Sequence, residues 1–132
     1  MTNRISSLPP EAVQAAADAL DAFRAAVEPH AVEISADERQ EILKLGDRTL
    51  AFVEKAVVYA MERPELVPGF LDADEMTADL DTYRTLTGLA NRLRQLESLV
   101  RDSAMVAGGE AHEGAFAFYG AVKAAAKSGV PS

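Results

Sequence analysis

The sequence has no cysteine and no tryptophan. Disulfides, thiolate metal centres, haem attachment through C-x-x-C-H and cysteine nucleophiles are therefore all excluded, and a reducing cytoplasm is the expected location. Nowhere do about 18 apolar residues run unbroken, so no membrane span is expected. The opening MTNRISSLPPEAV also lacks the apolar core of roughly 7 to 15 residues that a secretory leader needs. Hairpin turn signals and period-2 alternation are scarce too, which argues against strands and leaves the helical period to be tested.

Basic charge is in short supply. The formal net charge is −8, which argues against a nucleic-acid partner, because binding to a phosphate backbone draws its affinity from Lys and Arg displacing counterions. The acids are also concentrated. Residues 62 to 81 hold Glu62, Glu65, Asp72, Asp74, Glu75, Asp79 and Asp81 against Arg63 alone, −6 of the total. A solvated helix start explains most such runs, and a basic partner or a divalent cation is the functional alternative.

What is abundant is alanine, leucine, glutamate and arginine at helical spacing, in a length that suits one domain over residues 1–132. Residues 1–8 read as a flexible lead-in and 129–132 as a tail. Helix 1 is expected to start at Pro9 and Pro10, carry Val13, Ala16, Leu20, Phe23 and Val27 on one seam, and end near Pro29. Helix 2 opens with the capping pair Ser35 and Glu38 and is expected to run unbroken to Arg63, where Pro64 stops it. Gly46 and Asp47 then fall in mid-helix, a position where glycine costs ~1 kcal/mol against alanine.

Helix 3 is expected to start at the similar pair Asp72 and Glu75, with Met76, Leu80, Tyr83, Leu86, Ala90, Leu93, Leu96 and Val100 on one side. Gly108 and Gly109 read as the break before helix 4, whose Ala115, Phe118, Val122 and Ala125 keep helical spacing up to Gly129 and Pro131. Short connections make these four helices antiparallel neighbours, so the expected fold is an all-α, up-down-up-down four-helix bundle with long central helices 2 and 3. At 1.5 Å per residue those two would span about 40 to 48 Å, against about 27 to 30 Å for helices 1 and 4. The turn between helices 2 and 3 is then a tip the outer helices do not reach.

That tip, RPELVPGFLDADE, crowds Leu66, Val67, Phe70 and Leu71 between two prolines and a glycine. Three explanations compete: a plug folded back over Val57, Met61, Met76 and Leu80, cover by a second copy, or a docking site for a different protein.

Motifs with defined chemistry fail one by one. GGEAHEG lacks the lysine and serine or threonine of a phosphate loop, since Ala115 and Phe116 follow Gly114. DADEMTADLDTY departs from a calcium loop at Thr77 and Tyr83, where glycine and a bidentate glutamate are required. No Glu-x-x-His occurs, so a di-iron carboxylate bundle is excluded. AHEG around His112 faintly resembles the accepting stretch of histidine phosphotransfer domains, but Ala115 and Phe116 stand where that family wants lysine and glycine. Neither histidine has a serine and an acid at recognisable spacing. An up-down bundle does bring His30 and His112 to one end, with Glu33, Asp37, Glu110 and Glu113, a set whose chemistry suits a divalent transition metal.

Two stretches, KLGDRTLAFVEKAVVYAMERPELVPGFLD (44 to 72) and FYGAVKAAAKSGVP (118 to 131), resemble a family of small bacterial all-helical proteins with no known activity. The resemblance covers roughly a third of the chain and implies a compact helical domain; it brings no catalytic residue, cofactor or substrate.

The sequence thus points to a non-enzymatic association module, without cofactor, that binds protein: itself, as a homo-oligomer, or a basic partner. The expected surface is Leu66, Val67, Phe70 and Leu71, supported by Tyr59 and Met76, with Asp72, Asp74 and Glu75 as an acidic rim. The alternative is a small-ligand or divalent-metal site built from His30, Glu33, Asp37, Glu110, His112 and Glu113.

Overall fold

The computed structural model describes residues 4–129; parts of the expected lead-in (1–8) and tail (129–132) lie outside them. The described residues are all-α, with helices and turns and no strand. They run in the order α1 (Pro10–Val27), a 3-10 turn (Glu28–His30), α2 (Ala36–Glu41), α3 (Asp47–Glu62), a second 3-10 turn (Pro64–Leu66) and α4 (Ala73–Lys127).

Start signals act where the sequence places them. Pro10 opens α1, where its fixed φ fits and its missing N–H is not needed. Ser35 caps α2 as half of a complete capping box: its Oγ accepts from the Glu38 N–H at 3.1 Å, and Glu38 Oε1 accepts from the Ser35 N–H at 3.4 Å. Asp72 does the same work for α4, its Oδ1 accepting from the Glu75 N–H at 3.0 Å.

Two expected boundaries are corrected. The long second helix is broken, because the chain turns extended at Ile42 (ψ 131°) and stays out of the helix until Gly46 (φ −95°, ψ 178°), which is the N-cap of α3. Glycine is poor inside a helix and tolerable at its cap, so Gly46 starts α3 and Asp47 occupies its first turn. The expected break at Gly108–Gly109 is absent: α4 passes through both glycines as one helix of 55 residues. Two glycines cost ~2 kcal/mol of propensity, but no proline, aspartate, asparagine or serine stands beside them to satisfy a new helix start, and alanine dominates the turns beyond. The central helices are accordingly not the matched long pair that the spacing predicts.

By its contacts the chain divides into two units, one built from residues 21–91, the other from the chain up to Leu20 and from Arg92 onward. The 21–91 unit is centred on a helical hairpin. Leu50, Val53, Ala56, Val57 and Ala60 form the inward face of α3, at helical spacing, and Ala73, Met76, Leu80 and Tyr83 that of α4. Arg84 Nη2 lies 3.0 Å from Glu54 Oε2 and ties the two arms together. Val57 and Leu80 are its buried side chains, at 9% and 4% exposure.

The second unit, among its described residues, holds no buried side chain at all. Ser103, Val106, Glu110 and Gly114, one face of α4, are half-buried, and Glu110 Oε1 accepts from the Arg4 N–H at 2.6 Å.

Candidate functional site: the apolar tip

The tip is assembled from local rules. Arg63 leaves α3 with φ −127° and ψ 64°, and Pro64, whose ring bars a helical residue before it, opens the 3-10 turn. The Leu66 N–H donates to the Arg63 carbonyl at 3.0 Å and the Val67 N–H to the Pro64 carbonyl at 3.1 Å. Pro68 to Leu71 then make a second turn with Gly69 and Phe70 at its centre, closed by the Leu71 N–H on the Pro68 carbonyl at 3.0 Å, and Asp72 delivers the chain into α4.

This backbone sorts the four apolar side chains. Val67 is turned inward and half-buried, Leu66 and Leu71 are exposed at 55% and 41%, and Phe70 stands 92% exposed. Phe70, Leu71 and Asp72 form a ridge between two open clefts. One, of about 730 Å³, is lined by Ala60, Met61, Pro64 and Val67 on its other side. The second, of about 430 Å³, reaches Leu45, Val53, Met76 and Leu80 and carries Glu75 and Asp79 at its rim.

The loop covers the hairpin only in part: Val67 is half-buried, whereas Leu66, Leu71 and above all Phe70 stay exposed. Seven of the nine expected surface residues line the larger or smaller cleft, namely Val67, Phe70, Leu71, Asp72, Asp74, Glu75 and Met76. Leu66 stays exposed in the 3-10 turn. Tyr59 sits apart, lining a shallow groove with Glu54, Lys55, Val58 and Glu62 on another side of α3. Met61, expected beneath a folded-back loop, lines the larger cleft, and Leu45, which lines the smaller, escaped the sequence reading; its position next to the glycine that caps α3 is the signal that could have found it.

The acids are partly committed to structure. Asp72 spends an oxygen on the α4 cap, and Asp74 and Glu75 occupy the first turn, where negative charge favours the helix dipole. Glu65 is held below the usual carboxylate range, first by the Arg63 guanidinium, whose Nε lies 2.5 Å from Oε1, and then by a backbone hydrogen bond.

The histidine and carboxylate set fares differently. His112 stacks on Phe116 with ring centroids 4.5 Å apart, and Glu110 holds the Arg4 N–H. His30 ends the first 3-10 turn, Glu33 follows in the extended segment and Asp37 lies in the first turn of α2. Among the described residues, no group of three or more His, Asp or Glu side chains comes together in a way that could hold a metal ion. No described helix is long and apolar enough to cross a membrane.

In comparisons with protein families, curated proteins and solved structures, nothing matches the chain.

Proposed function

We propose that the protein is a non-enzymatic association module whose tip receives a basic, apolar segment of another protein. The observation that carries this reading is Phe70, a phenyl ring 92% exposed between two open clefts of mixed polar and apolar lining. Isolated apolar residues are ordinary on a surface, but an aromatic ridge flanked by concave walls that mix apolar and acidic residues is the form of an anchor site. Asp74, Glu75 and Asp79 around it favour a cationic counterpart and orient it, while the apolar residues of the walls supply affinity. The four-helix packing that the heptad spacing calls for is, on this reading, completed between chains, because α4 supplies no turn at Gly108 from which a fourth helix could return.

The test uses a synthetic amphipathic Lys/Leu peptide as probe, titrated into the full chain and followed by amide NMR. Shifts confined to 60–79, weakened by salt and lost in Phe70→Asp with helicity unchanged, are the expected result. Shifts spread over every acidic stretch, and indifferent to Phe70→Asp, would overturn it.

A further inference from the structure

The surface left over by that reading lies on α4, far along the chain from the tip. Leu93, Leu96 and Val100 are 39%, 59% and 67% exposed, and they share a face with Ala104, Ala107 and Ala111. At 100° per residue these six positions fall within an arc of about 80°, the width of a helix-pairing seam. The half-buried face of the same segment, Ser103, Val106, Glu110 and Gly114, borders this seam, its centre about 80° away at 100° per residue, and leaves Leu93, Leu96 and Val100 exposed.

The order of residues on the seam is informative. Over residues 92–113 its bulky members all precede residue 102 and its alanines all follow it, and Phe118 and Val122 stand farther along the same face. If a second α4 is laid antiparallel with its midpoint there, Leu93 meets Ala111, Leu96 meets Ala107 and Val100 meets Ala104, so that a large side chain always faces a small one. A parallel, in-register pair would set Leu against Leu at one end and leave gaps between alanines at the other.

Charge has the same polarity. Arg92 and Arg94 stand at the start of the segment, Glu110 and Glu113 at its end. Arg92 and Glu110 also lie on the same flank of the seam, five full turns apart at 100° per residue, and a two-fold axis at residue 102 brings Arg92 of one chain beside Glu110 of the other. Glu110 already holds the Arg4 N–H, and a carboxylate has acceptor capacity for both. A parallel pair would instead place like charges together.

We infer that two copies of this chain pair antiparallel through α4 over residues 92–113, with the dyad near Asp102. A stable interface takes about 800 Å² from each partner, and Leu93, Leu96 and Val100 are each more than a third exposed to contribute to it.

The absence of native cysteine makes the test clean. Leu93→Cys and Ala111→Cys are prepared as two full-length proteins and oxidised separately and as a mixture, with molar mass by light scattering measured on the unsubstituted chain over a hundredfold concentration range. The expected result is a dimer mass, efficient cross-linking in the mixture and little in either protein alone. Cross-linking of each protein with itself would mean a parallel pair, and a monomer mass throughout would remove the dimer; either overturns the inference. Val100→Glu, checked for retained helicity, should abolish the dimer, whereas Phe70→Asp should leave it intact, which separates this interface from the proposed role of the tip.

Discussion

Arg84 on α4 reaches Glu54 on α3, Nη2 to Oε2 at 3.0 Å, and this pair fixes the antiparallel register of the hairpin. The same register sets Val57 level with Leu80, the two buried side chains. The ion pair and the buried side chains therefore lie about one turn apart along the hairpin, but they differ in what they contribute.

Leu80→Ala is expected to be the most damaging single change. Removing a buried leucine side chain costs about 2 to 5 kcal/mol, and little else in the hairpin is buried to absorb the loss. Arg84→Ala removes a pair in which both side chains are nearly half exposed, so at most about 1 kcal/mol should go with it. Urea unfolding followed by circular dichroism should rank the two in that order; equal effects would mean that the pair, not the leucine, holds the arms.

Gly108→Ala and Gly109→Ala should stabilise. Neither glycine has a positive φ, and a Cβ added at either meets no atom within 4 Å. Each substitution should therefore gain up to about 1 kcal/mol of helix propensity. A rise in the thermal midpoint for each is the expected reading, and a fall would reveal that the glycines serve a close approach.

Ser35→Ala should loosen α2 and little else. The substitution removes the Oγ that accepts from Glu38, a cap contact worth about 0.5 to 2 kcal/mol, from a helix of six residues. Backbone chemical shifts of residues 36–41 should move toward coil values while those of α3 hold. Ser35→Asp, which restores an acceptor, should reverse the change.

Glu65 supplies a pH prediction. Its pKa lies below 4.5, mainly through the Arg63 hydrogen bond, so it favours the folded state at pH above its unfolded pKa and that preference is lost as pH falls through its folded pKa. Because Glu65 is fully exposed, the effect is local and is best read on the carboxyl itself. In an NMR titration, Arg63→Ala should bring the Glu65 midpoint back up toward 4.5; no movement would assign the depression to the backbone hydrogen bond alone.

Helix starts were legible in the sequence because they are decided within a few residues. Pro10 removes an amide that would want a partner, the Ser35–Glu38 box and the Asp72 cap satisfy amides in the first turn of their own helix, and no distant contact is needed to make them work. Interruptions were harder to read. Gly46 and Gly108–Gly109 carry the same intrinsic penalty with opposite outcomes, for the neighbours decide: Gly46 is followed by an aspartate fit for a first turn, whereas Gly108–Gly109 is embedded among alanines with no residue to end one helix or begin another. The tip residues were visible as a set, since four apolar side chains in a proline-bounded turn stand out. Which of them faces outward depends on the 3-10 turn at Pro64–Leu66, and side-chain spacing carries no trace of that choice.

The continuity of α4 also grades how easily its backbone opens. Val57 and Leu80 anchor it near its start, and no buried side chain recurs along the turns to Lys127. In the single chain, amide exchange should be slowest around Leu80 and quicken toward Lys127, and limited proteolysis should trim α4 from that end first. A second copy laid over Leu93–Ala111 inverts that order by shielding the middle of the helix. The exchange profile of one helix thus becomes a gauge of assembly that needs no measurement of size.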